Sequence, residues 1–463
     1  MKQFLLFHIF TVLACTTLTA QTVYTDYFMR NSHSRMALNP AFIPRQGYVS
    51  VADIAVGANT SLYLDNLVFD KNGEKVTFMH PLVGSSEFLS GIPNQSNLSA
   101  KLSSQPVSFG FFTKKGGFWS FGIGVKALVD VNIPKPLFEL LKVGFTADDR
   151  TLTYPIRDLK LSANGYSEIS AGYARTFLNN RLSVGAKAKL LMGMAAVDLN
   201  IETLDVSVQK DQWTARSKAT LKGSGIKAGY DEDGLFESVE VTGLDASGFG
   251  LGLDVGAVYT ISERAKVSLA FTDLGFISWL SNNSINLKAP ETLITVTPGE
   301  YSQGEGNFNF DENLNTAIDD IKEAINFKES GQTQGNTTYL RTTANVGLEY
   351  EVVPGHLSAG LLSSTYFGNT TLTELTLSAN YNPAQIKWLS VAVSYSFINT
   401  NFKTFGLALH LAPKRGVHFF IASDYLLPKV SSNFLPVNSN TANIQLGLSI
   451  PIGKVHEAST PNK

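Results

Sequence analysis

Beyond its first twenty residues the chain returns again and again to one pattern: apolar and small or polar side chains alternate with a period of two, and each run ends on turn residues. In the run 247–261, Phe249, Leu251, Leu253, Val255, Ala257, Tyr259 and Ile261 share one face, while Gly248, Gly250, Gly252, Asp254 and Gly256 share the other. In 443–452, Ile444, Leu446, Leu448, Ile450 and Ile452 alternate with Asn443, Gln445, Gly447 and Ser449. Around 344–352, Ala344, Val346, Leu348, Tyr350 and Val352 alternate with Asn345, Gly347, Glu349 and Glu351. A bulky apolar face opposite one of Gly, Ser, Asn and Asp suits a barrel with lipid outside and a crowded polar lumen within. A soluble exported β-sandwich is the structural alternative, although its polar face would be richer in Lys, Glu and Thr. No apolar run of eighteen residues follows the N-terminus, so helical membrane spans are not expected.

Such runs predict about fourteen strands, near 47–60, 104–114, 117–132, 165–178, 181–197, 246–262, 264–279, 339–352, 356–368, 372–382, 387–398, 402–412, 416–426 and 442–452. Barrels of this class place short turns on the periplasmic side, so short turns should recur at every second junction. They do, at Lys114-Lys115-Gly116-Gly117, Asn179-Asn180, Ser262-Glu263-Arg264, Val353-Pro354-Gly355, Pro383-Ala384-Gln385 and Pro413-Lys414-Arg415-Gly416. Segments 61–103, 133–164, 198–245, 280–338 and 427–441 are then outer loops, joined by tight turns at Gly368-Asn369-Thr370-Thr371 and Asn399-Thr400-Asn401. An even strand count puts both termini in the periplasm. The expected organisation is a signal peptide at 1–20, an N-terminal plug-like segment at 21–46, a transmembrane antiparallel barrel at 47–452 and a polar tail at 453–463.

The export signal is Met1-Lys2, an apolar core from Phe4 to Ala14, and Leu18-Thr19-Ala20 before Gln21. The only cysteine, Cys15, falls inside it, so the mature chain would hold no thiol; Val12-Leu13-Ala14-Cys15 leaves open a lipidated Cys15 instead. A formal net charge of -2 gives no basic footprint, so no nucleic-acid partner is expected. Charged residues make up only 16%, and 38 glycines and 30 phenylalanines favour twisted strands with aromatic girdles.

The segment Leu38-Asn39-Pro40-Ala41-Phe42-Ile43, followed by Pro44-Arg45-Gln46-Gly47 and an alternating strand, resembles the hatch-to-first-strand region of FadL-type transporters of hydrophobic compounds. It also resembles the Asn-Pro-Ala element of PorV-like and PorP/SprF-like Bacteroidota barrels, and above all the Bacteroidota outer-membrane family DUF5723. The FadL resemblance implies a fourteen-strand barrel with the segment before the first strand folded into the lumen, here with Asn39, Pro40, Ala41 and Phe42 at its end. Asn39-Pro40 has a plainer reading as a turn that aims the chain into the first strand. The resemblance further implies outer-membrane lipid and a hydrophobic ligand as partners; the PorV side implies periplasmic or secretion-system proteins.

By the alternation, Lys126, Asp130, Lys187, Lys189, Asp254, Glu349, Glu351, Glu374, His410, His418 and Asp424 point into the lumen. They would pair with one another or with the plug, because an unpaired charge away from water is costly; selective permeation is the other use. The glycines at 248, 250, 252 and 256 alternate on one strand face, which is wrong for a nucleotide loop and right for admitting a plug backbone or a kink. Two outer-loop segments read as helices. One is 311–328, with Asp311 as its cap and Leu314, Ile318, Ile321 and Ile325 on one face. The other is Pro136–Val143, with Leu137, Phe138 and Leu141. They would form a capture groove for a greasy ligand or simply pack on the barrel rim. No hydrolase motif, metal site or cofactor signature is present, and the chain is not expected to be an enzyme. The expected function is capture or passage of hydrophobic small molecules; the alternative is a barrel that scaffolds or shuttles partner proteins.

Overall fold

The computed structural model describes residues 23–456 except 31, 64–65, 144–150, 210–211, 231–235, 242, 244, 298–308, 326, 331–334, 368–370, 399–400, 414–415 and 427–440. The expected leader, Cys15, most of the polar tail and most of the two tight outer turns therefore lie outside the described residues.

Fourteen antiparallel strands close into a ring: β1 (Gly47–Thr60), β2 (Gln95–Phe112), β3 (Phe118–Pro134), β4 (Leu152–Phe177), β5 (Leu182–Val208), β6 (Gly248–Thr260), β7 (Ala265–Trp279), β8 (Thr343–Val353), β9 (Leu357–Tyr366), β10 (Leu372–Tyr381), β11 (Leu389–Ile398), β12 (Asn401–Leu411), β13 (His418–Ser423) and β14 (Thr441–Ile452). β1 pairs with β14 on one side, Gly47 opposite Ile452, and with β2 on the other, so the ring has no free edge. The short connections lie at every second junction and carry the expected turn chemistry. Gly116 and Gly355 take φ of 78° and 74°, and Asn179 and Asn180 take 52° and 65°, the left-handed region that Gly and Asn tolerate best. β1 begins and β14 ends at this short-turn end.

The expected strand count holds, but the wall is far from uniform. β4 and β5 run for 26 and 27 residues, against 6 to 11 for β8 to β13. Segments read above as long loops carry further sheet: Trp213–Ser224 pairs with the outer half of β5, and Ser284–Val296 pairs with it in turn. The expected starts of β2 and β4 at 104 and 165, and the expected end of β5 at 197, fall well inside the real strands. Over the ring the outward residues are apolar, such as Ile123, Leu190, Phe249 and Phe405, the pattern expected of a wall facing lipid. Among the described residues no helix is long and apolar enough to cross a membrane. On the outer extension the apolar set turns inward, and an outward-apolar template stops at that reversal.

The tall wall and three helices, α1 (Ser85–Ser90), α2 (Lys135–Val143) and α3 (Phe310–Ile325), enclose one apolar core outside the ring, which we call the cap. Phe78 stacks on Phe88 with ring centroids 4.5 Å apart, and Phe138 meets both edge-on. The cap of α3 is a correction to the sequence reading: the helix starts at Phe310, and the Asn309 side chain rather than Asp311 accepts the Glu312 N–H at 3.3 Å.

Candidate functional site

Residues 23–46 lie inside the ring. The segment touches strands from all round it, and its two turns and a 3-10 helix at Ser34–Ala37 leave its backbone donors to be met partly by the wall. At one side Asp424 receives the N–H groups of Tyr24 and Thr25 at 2.7 and 2.8 Å, and Asn443 braces the same carboxylate at 3.0 Å. Across the lumen Arg30 binds Glu349 at 2.9 Å and Glu351 at 2.6 Å. Asn345 of β8 donates to Leu38 O at 2.9 Å, and Ser183 of β5 to Ala41 O at 2.7 Å. Tyr24, Tyr27, Phe28, Leu38 and Phe42 bury themselves against Leu362 and Tyr366.

Asn39 is fully buried, and its Oδ1 accepts the Ala41 N–H at 2.9 Å, a side-chain-closed turn that also uses the fixed φ of Pro40. Two wall glycines make room for it. A Cβ at Gly256 of β6 would collide with the Asn39 side chain, and one at Gly185 of β5 with the Pro40 carbonyl. Gly248 and Gly250 serve otherwise, lying against Trp279, Ile277 and the backbone of β7. Ala41 and Phe42 are buried beside the turn.

Towards the cap from this segment lies a layer of charge. Lys189 binds Asp254 and Asp273, each at 2.6 Å; Lys126 binds Asp273 at 2.9 Å and Glu168 at 3.3 Å. Lys187 and Lys101 join them around a cavity of about 110 Å³. Asp273 stands in a β-bulge with φ of 57°, its N–H held by Asp254 at 2.7 Å. Beyond it Arg341 reaches across the lumen to Ser99 at 2.9 Å and Asp130 at 3.4 Å, with its guanidinium 4.6 Å above the Tyr366 ring. Above Arg341 a larger cavity of about 630 Å³ opens between the tall wall and residues 335–342, bounded by Leu128, Ala163, Val197, Leu340 and Phe367.

The lumen residues expected from sequence thus fall into separate groups. Lys126, Lys187, Lys189 and Asp254 share the charged layer, Asp130 lies beyond it, and Glu349 and Glu351 hold Arg30. Glu374 accepts from Tyr425 at 2.9 Å near Asp424 and the short contact of Tyr24 with Tyr366. His410 meets His418 edge-on at 5.6 Å. Leu137, Phe138, Leu141 and Ile325 are buried in the cap core with Ile321 packed against it, whereas Leu314 and Ile318 are buried outside that cluster. Among the described residues these side chains pack in and beside the cap core.

Sequence reasoning missed Asp53, Glu168, Asp273 and Arg341. A signal for Asp273 was present. In β7 the outward apolar residues are Leu269 and Phe271, then Leu274 and Phe276, and that switch from odd to even marks a bulge.

A family model described as a family of unknown function (DUF5723) matches residues 40–424. No curated protein matches the sequence. Among solved structures, a FadL homologue of Pseudomonas aeruginosa aligns at 10% identity and a TM-score of 0.40, covering 93% of this chain and 98% of that one. The toluene transporter TodX of Pseudomonas putida aligns at 8% and 0.35, covering 93% of each chain. The monoaromatic hydrocarbon channel CymD aligns at 10% and 0.37, covering 92% and 94%.

Proposed function

Since the chain belongs to the DUF5723 family, whose description assigns no activity, its role has to be argued from the site, and we propose an outer-membrane barrel that captures a hydrophobic small molecule, with residues 23–46 as its plug. The observation that carries this reading is the cavity of about 630 Å³ where cap, lumen and low wall meet. Pockets of several hundred Å³ with an apolar lining and a few fixed polar groups are the usual size for such ligands. Leu128, Ala163, Val197, Leu340 and Phe367 supply the apolar part, and Asp130, Asn164, Asp198, Lys222, Asn336 and Arg341 make the rest of the lining strongly polar, so the ligand expected is one with an apolar body and a polar group. The charged layer beneath argues against an axial exit for a greasy molecule, since passage would pull buried ion pairs apart. A sideways exit at the ends of the short strands is the simpler route. There Tyr339 and Phe367 are 80% and 47% exposed.

Mass spectrometry of solvent extracts from the purified protein, together with uptake of an apolar aromatic probe into proteoliposomes, tests this. We expect a bound apolar compound, and Leu340→Trp, which fills the cavity, should cut uptake about tenfold, roughly 1.4 kcal/mol. Uptake equal to that of empty vesicles, with no bound compound, removes the reading. The second reading, a non-transporting scaffold for periplasmic or secretion-system proteins, is favoured by the same closed lumen. Stoichiometric capture of such a partner by a protein that carries no flux would establish it.

A further inference from the structure

At the short-turn end of the ring a third cavity, of about 360 Å³, lies beside residues 28–45, separate from the charged layer and from the outer cavity. Among the described residues its charge is one-sided. Arg30, Arg35, Arg45, Arg181 and Lys266 line it, against Glu349 and the neighbouring Glu351. Both carboxylates are already engaged by Arg30, and Glu351 also lies 3.9 Å from Lys266. Arg35 is the telling residue. Its Cζ sits 3.7 Å from the centre of the Phe42 ring, its Nε is buried without a hydrogen-bond partner, and the carboxylates that act on it, Glu349 and Asp26, do so from beyond ion-pair distance. Burial draws this guanidinium down to about 10, which leaves it cationic at neutral pH. A guanidinium whose Nε is buried and unpartnered, with its counter-charges held at a distance, is costly, and a cavity beside it is where a direct partner can come from. The same cavity has an apolar side, formed by Phe42, Phe112 and Val258.

We propose that this cavity binds a small organic oxyanion, a phosphoryl or carboxylate group on a compact apolar body, with Arg35 and Lys266 facing the oxyanion and the Phe42 side receiving the body. Two guanidinium or ammonium groups meeting one oxyanion give charge-assisted hydrogen bonds, and Arg suits the planar two-point version. The volume accommodates a ring-sized body. This site does not depend on the transport reading: it concerns binding at the opposite end of the lumen and is measured without flux.

The test is calorimetric titration of the full chain in nanodiscs at low salt with phenyl phosphate, benzoate, inorganic phosphate and benzyl alcohol. We expect phenyl phosphate or benzoate to bind at one per chain, inorganic phosphate at least tenfold more weakly, and benzyl alcohol not at all. Lys266→Gln, at the edge of the cavity, should weaken the anion at least fivefold. Arg35→Gln should abolish binding, and if it instead loosens the fold the Lys266→Gln result stands on its own. Lys218→Gln, on the far side of the cap, controls for general loss of charge. Equal binding of benzyl alcohol, inorganic phosphate as tight as phenyl phosphate, or indifference to Lys266→Gln each overturns the proposal. Raising the salt should weaken binding through Lys266, which stands on the solvent-facing side of the cavity, more than through Arg35.

Discussion

β5 is one strand that lives in two environments, and its halves are inside out with respect to each other. In the ring, Val184, Leu190 and Met192 face outward while Lys187 and Lys189 face the lumen. Beyond it, Ile201, Leu204, Val206 and Val208 face inward at 2% exposure or less. The outside there carries Glu202 bound to Lys218 and Asp205 bound to Arg157. The backbone pairing barely notices, since β4 follows β5 through both halves. On the proposed outer-membrane reading, what changes is the medium outside the wall. Lipid rewards an apolar exterior and leaves the polar set to be satisfied in the lumen by ion pairs; water reverses the preference and lets an ordinary apolar core form. The charged layer and the cap core are therefore two answers to the same burial problem, and they should fail differently.

The largest effect is expected in the charged layer. Asp254→Ala leaves Lys189 with Asp273 alone and removes the acceptor for the Asp273 N–H. Breaking a buried pair from one side costs about 3–5 kcal/mol, and Asp254→Asn, which keeps an acceptor oxygen, should recover part of it. Urea unfolding in lipid vesicles measures both; equal stability of the Ala variant and the parent would mean that the layer is wet and loosely paired.

Next comes a pair that locates the change of medium. Leu190→Lys places a charge on the lipid face of β5, at a position 60% exposed on the bare wall, and should cost about 2–4 kcal/mol near mid-membrane. Glu202→Leu, the opposite exchange on the watery half, should lie within about 0.5 kcal/mol of the parent. If Leu190→Lys is also neutral by vesicle unfolding, the apolar band is not a lipid contact and the two-media account of β5 is wrong.

This reversal also explains how much could be read from the sequence. An outward-apolar template found every ring strand, with β1 placed at 47–60 and the short turns at Gly116, Asn180 and Gly355 in their alternate positions. It lost 152–164 and 198–208, where the alternation continues with its sense inverted, and it read Trp213–Ser224 as loop for the same reason. The inward direction of Lys189, Asp254 and Glu349 was legible because strand parity is local. Which of them meet was not: Asp273 hides behind a bulge, and Arg30 and Arg35 sit on a segment with no period, so their partners depend on how the ring closes. The turn at Asn39-Pro40 was legible as chemistry, but its seat against Gly185 and Gly256 joins parts of the chain that only the closed ring brings together.

The smallest effect belongs to the outside of the cap. Arg157 and Asp205 stand 2.5 Å apart across β4 and β5, yet their side chains remain 43% and 31% exposed. Water screens such a pair, and ordering two side chains offsets most of the attraction, so Arg157→Ala should cost no more than about 1 kcal/mol and less in high salt. The comparison with Asp254→Ala holds strand pairing and ion-pair chemistry constant while changing the surroundings from lumen to solvent. A double-mutant cycle on Arg157 and Asp205 that returned a coupling as large as the one expected for Lys189 and Asp254 would show that the outer face of β5 is covered in the native protein. In that case a partner, rather than water, would be the medium against which its charges are arranged.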